Sequence, residues 1–280
     1  MTIINRKQFE THYLPHVDSA GDILVWQSPH LSYMLKQYGF TCDKYPTDKY
    51  DLVVVDAPDY VDCPGVKSKH EKKWIDSAIV WVKDGGQFIL RLGGKSCQYL
   101  SSYSYLNIKE IVMDGQNTII RGVYDKNYTS TQITYPDKTI DQNIFETPIL
   151  SYYDEDHLNI LKGQPISDEQ VVQLRHNFTG KNGGTLIDSY QHSMSHIDHN
   201  NVLMITDGGP WRTPWKLEEN PNIQTGGRAI ILSSPEEVEQ VRSYLKTPVV
   251  MNFIRNVTFD KTHGLPVSIK KILTNPLNLV

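Results

Sequence analysis

The stretch Asp51-Leu52-Val53-Val54-Val55-Asp56-Ala57-Pro58-Asp59-Tyr60 constrains this chain more than any other. A short, continuous run of mostly β-branched apolar side chains ends abruptly in an acidic, proline-bearing turn. Such a run, with polar punctuation at its carboxyl end, is the pattern of a buried parallel strand in an α/β sheet. In open α/β sheets the ligand lies outside the carboxyl ends of the strands, so residues Asp56 to Tyr60 would stand at the mouth of any site.

The neighbouring segments support a parallel sheet. Lys73 to Val82 carries Trp74, Ile75, Ala78, Ile79 and Val82 at helical spacing, Asp84-Gly85-Gly86 closes that helix, and residues 87–92 return as a strand. Strand, helix, strand implies a right-handed crossover. Upstream, residues 22–26 read as a strand, 29–38 as a helix stopped by Gly39, and 40–42 as a short strand. Downstream, residues 108–112, 118–124 and 131–135 read as strands, compatible with a hairpin at a sheet edge. Asp137 to Asp168 has no clean period and marks a boundary between two domains, 1–145 and 146–280. In the second, residues 169–176 read as a short helix and 201–206 and 228–232 as strands. Ser234-Pro235-Glu236-Glu237 starts a helix reaching about Leu245, and residues 247–256 form another. The fold class expected is therefore α/β, a Rossmann-like sheet joined to a second, mixed α+β domain.

Composition narrows the function classes. The formal net charge of −4 excludes a general polycation, so any nucleic-acid site must be a local basic patch. Three cysteines, Cys42, Cys63 and Cys97, lack CxxC spacing, which argues for a reducing compartment and against a disulfide framework. No run approaches the roughly 18 apolar residues of a membrane span, and Met1 to Lys7 leads into no apolar signal segment. The expectation is a cytoplasmic protein with no membrane partner. Aromatic usage leans to amphipathic rings, 16 Tyr and 5 Trp against 7 Phe, suited to half-buried sheet positions or to base stacking.

Asp56-Ala57-Pro58-Asp59-Tyr60 resembles the catalytic tetrapeptide of amino-group (N6-adenine) DNA methyltransferases, which is Asp or Asn, Pro, Pro, then an aromatic. Leu106 to Val112 is similar to that family's next strand. Gly227 to Leu232 with Pro235 to Arg255 is similar to the end of restriction–modification target-recognition domains. The resemblance implies a Rossmann-like methyltransferase-type sheet, S-adenosylmethionine as cofactor, DNA as partner and a flipped adenine as substrate. Asp56 and Pro58 would position the target amine and Tyr60 would stack on the base. The departures are specific: Ala57 replaces the first proline, Asp59 stands where the aromatic belongs, and no glycine-rich turn follows the strand ahead of the motif. An alternative expectation is therefore a catalytically inactive methyltransferase-fold subunit that binds nucleic acid or protein, with a partner subunit supplying what is missing.

Lys67, Lys69, His70, Lys72 and Lys73 form a basic cluster beside the expected mouth, either a solvated helix face or phosphate contacts. Trp211, Arg212 and Trp215 sit in a proline-bearing loop and could stack on bases or anchor the loop. His192, His196 and His199 have one-sided helical spacing, but their Ser-, Asn- and Asp-rich surroundings read as loop, so no metal is expected.

Overall fold

The structure is a computed structural model. The description covers residues 4–17, 20–26, 28–56, 70–114, 117–174, 199–206, 215–216, 227–259, 265 and 267–279. The chain divides into two compact units, Met1–Tyr153 and Asp154–Val280.

The first unit is α/β, a mixed seven-stranded sheet with helices. Its strands are β1 (Ile23–Trp26), β2 (Tyr50–Asp56), β3 (Val82–Gly93), β4 (Asn107–Asp114), β5 (Asn117–Val123), β6 (Thr131–Thr134) and β7 (Thr139–Gln142), and their order is β1-β2-β3-β5-β4-β6-β7. The strands β1, β2 and β3 are mutually parallel, and β5 runs against β3 as the second strand of a hairpin with β4. The helices are α1 (Arg6–His12), α2 (Leu14–Val17), α3 (Pro29–Gln37), α4 (His70–Ile79) and α5 (Cys97–Leu100).

The pleat of β2 shows why its apolar run is continuous. Leu52 and Val54 share a core with Phe9, Tyr13 and Val17 of α1 and its continuation, and with Leu31, Met34 and Leu35 of α3. Val53 and Val55 point the other way, and both are fully buried. Ile75, Ala78 and Ile79 of α4 are also buried but do not belong to that first core. Helices therefore cover both faces, and every side chain from Leu52 to Val55 has to be apolar.

The chain also changes direction in the sheet at β1. After α3, Asp43 forms an isolated parallel bridge with Leu24 on one edge of β1, while β2 pairs along the other edge. The chain thus leaves β1 to one side and returns on the opposite side, which makes the β1/β2 boundary a topological switch point.

Several elements differ from the sequence expectation. Residues 40–42 form no strand; only Asp43 bridges to β1. The helix expected over 73–82 is shifted to 70–79, and Val82 already belongs to β3, pairing with Tyr50 before the register shifts at Leu52. Val82 is buried in either role, so helical spacing alone could not separate them. Residues 171–174 form strand β8 and not a helix. The Ser167–Gln170 capping box closes one 3-10 turn, after which β-branched Val171 and Val172 pair with Ile230 and Ala229.

The second unit carries a four-stranded sheet, order β10-β9-β11-β8, from β8 (Val171–Leu174), β9 (Val202–Thr206), β10 (Trp215–Lys216) and β11 (Gly227–Ile231). Its helices are α6 (Glu155–Leu161), α7 (Pro235–Leu245), α8 (Pro248–Thr258) and α9 (Val267–Leu273). Ser234 and Thr247 cap α7 and α8 through their hydroxyls, each followed by proline at the first helical position. Val238, Val241, Leu245, Val250 and Phe253 supply fully buried faces.

Gly122 sits where strands crowd. A Cβ there would lie 2.4 Å from Phe88 Cζ and 2.7 Å from the Asn107 carbonyl oxygen. Gly122→Ala is expected to cost about 1–3 kcal/mol by overpacking, read as a lower urea midpoint at unchanged slope. An unshifted midpoint would show that the surrounding side chains relax freely.

Candidate functional site

The switch point brings together the carboxyl ends of β1 and β2, and β3 lies alongside. Asp56 is the last residue of β2 and stands in register with Arg91 of β3. The guanidinium donates from Nη1 to Asp56 Oδ1 at 3.1 Å, and the Asp56 and Arg91 side chains are only 11% and 5% exposed. The other carboxylate oxygen, Oδ2, faces the Ser28 hydroxyl at 3.5 Å, a long contact. Ser28 is itself buried and accepts from the Leu31 amide at 3.3 Å as the cap of α3.

Burial pushes the Asp56 carboxyl up from its ordinary value. Arg91, Ser28 and His30 pull the other way without cancelling it. The sign follows for stability: with the folded value raised, this group favours the folded state at low pH. That contribution is lost as pH rises through the folded value.

Two tryptophans frame the same end of the sheet. Trp26, the last residue of β1, meets Trp74 of α4 edge to face with ring centroids 5.3 Å apart. Both are partly exposed. The contact fixes the amino-terminal half of α4 at the carboxyl ends of the strands, as a crossover helix running antiparallel to them must lie. Lys72 and Lys73 are exposed on that half of the helix.

Of the residues singled out from sequence, Asp56, Lys72 and Lys73 thus come to one end of one sheet. Pro58, Tyr60, Lys67, Lys69, Trp211 and Arg212 lie outside the described residues, as do His192 and His196. Trp215 begins β10, its backbone paired with Met204, in the second unit. Among the described residues no group of three or more His, Cys, Asp or Glu side chains could hold a metal ion, and no helix is long and apolar enough to cross a membrane. Sequence reasoning missed Arg91, Ser28, Trp26 and Trp74 as site residues. For Arg91 a signal existed, a lone cation within the apolar segment Phe88 to Leu92.

The chain matches no protein-family model and no curated protein.

The Asp56 environment can be read directly. A carbon-13 titration of the aspartate carboxyls is expected to place Asp56 above the ordinary aspartate range. A midpoint at or below that range would mean that the side chain is hydrated or that Arg91 outweighs burial.

Proposed function

We propose that this chain is a nucleic-acid-binding protein built on a Rossmann-like, methyltransferase-type sheet, with its ligand face at the carboxyl ends of β1, β2 and β3. The observation that carries the proposal is the topological switch at β1/β2. In open α/β sheets the crevice for a ligand opens at such a point. The acidic motif Asp56-Ala57-Pro58-Asp59-Tyr60 begins there. DNA is the preferred partner because exposed Lys72 and Lys73 rim this end of the sheet on α4, although the chain as a whole is acidic. Cations in that position would contact phosphates and orient the strand, and the partly exposed rings of Trp26 and Trp74 would meet its bases.

A second reading makes the chain an S-adenosylmethionine-dependent adenine N6-methyltransferase acting on a flipped base. It is favoured by one observation, that Asp56 ends the middle strand of the parallel block, where an amine-binding carboxyl of that family would stand.

Fluorescence anisotropy with labelled single-stranded and duplex DNA tests the first reading. The wild type is expected to bind with a negative dependence of log affinity on log salt. Lys72→Gln with Lys73→Gln should weaken binding severalfold and flatten that slope by about 1 for each phosphate no longer neutralised. No binding by the wild type, or an unchanged affinity and slope in the double variant, would contradict it. Methyl transfer from labelled donor to DNA is the corresponding test of the second reading.

A further inference from the structure

A turn that receives S-adenosylmethionine leaves its backbone bare, so that the ligand can approach the strand end and the first helical turn. This is why glycine is needed there. The described residues after β1, from Ser28 onward, are built the opposite way. Ser28 is buried, and its hydroxyl is used twice, accepting from the Leu31 amide and facing Asp56 Oδ2. Pro29 occupies the first position of α3 and has no amide proton to offer. The Ser32 amide is engaged by the Ser28 carbonyl at 3.1 Å. The chain's own first segment touches the start of the helix at one point: His30 Nε2 meets the carbonyl oxygen of Ile4 at 3.0 Å, and Ile4 is buried in the core, while Pro29 and His30 are themselves exposed.

The far wall of the crevice carries one ion pair and one long contact. Both oxygens of Asp56 face protein groups, Arg91 on one side and Ser28 on the other. A carboxylate that is to accept from an incoming amine needs a lone pair directed outward, and here the pair with Arg91 directs one oxygen into the sheet.

We infer that the crevice between β1 and β2 is closed to S-adenosylmethionine, and that Ser28, Asp56 and Arg91 are the groups that close it. The inference rests on reading the sheet as methyltransferase-type. It assigns the chain to binding without methyl transfer. The side chains present do not fit the methyl donor, so no chemical step is routed through it.

The test is calorimetric titration of the full chain with S-adenosylmethionine and with S-adenosylhomocysteine, each with and without DNA. It is paired with thermal melting in excess donor, because a ligand that binds only the folded state raises the melting temperature even when its heat of binding is near zero. A cooperative melt of the same sample shows that the protein is folded. The expected result is no saturable heat and no shift in melting temperature under any condition. Saturable heat or a concentration-dependent shift with either compound, DNA present or absent, overturns the inference. DNA binding is read separately by anisotropy. A chain that binds DNA and not the donor sustains both proposals. One that binds neither sustains the closed crevice and removes the nucleic-acid reading. One that takes the donor overturns the inference whatever DNA does.

Discussion

A buried ion pair between neighbouring parallel strands sets the terms for the rest of the first unit. Asp56 and Arg91 are register partners on β2 and β3, and both side chains are almost wholly withdrawn from water. Removing two charges from water is costly, and their attraction offsets that cost only when the geometry is good. The raised carboxyl of Asp56 shows which effect prevails there: desolvation exceeds the pull of the guanidinium. Such a pair adds little net stability, yet losing one member leaves the other charge buried without its partner. Its physical effect is to forbid alternatives, because a one-residue slip of β3 would carry Arg91 onto the opposite face.

That constraint propagates to the mouth. With β2 and β3 in fixed register, Asp56 faces Ser28 across the switch point, and Ser28 caps α3. Helix α3 in turn packs with α1 and α2 over Leu52 and Val54. The N-terminal segment is held to the same face a second time, where His16 of α2 accepts from Arg121 of β5. Burial first, and the Arg121 charge second, lower the His16 imidazole to about 4. The site end and the helical layer are consequently joined. The acidic end of β2 thus meets the cap of α3 at the Ser28 hydroxyl.

Much of this is legible in the residues, and what is not has physical reasons. The run Leu52 to Val55 announces a strand buried on both faces, and Ser234-Pro235 announces a helix start, because both signals are local. The helix boundary near Val82 is ambiguous in sequence because a buried valine satisfies a helical stripe and a strand equally well. Strand β8 is hidden because Ser167 to Gln170 really does make a helix-like cap, for a single turn. The pairing of Asp56 with Arg91 depends on the register between two strands separated by a crossover, which no local pattern encodes. The same holds for the single parallel bridge at Asp43, which sets one residue on the edge of β1 opposite β2.

The most direct measurement is a double-mutant cycle on the pair, by urea denaturation of Asp56→Ala, Arg91→Met and the combined variant. The expected result is a loss of about 3–5 kcal/mol for each single change and a clearly smaller loss for the double variant, because the double variant strands no buried charge. Single losses below about 1 kcal/mol that simply add would mean that the two charges sit in water and act independently. The closed wall at the end of β2 would then have no basis.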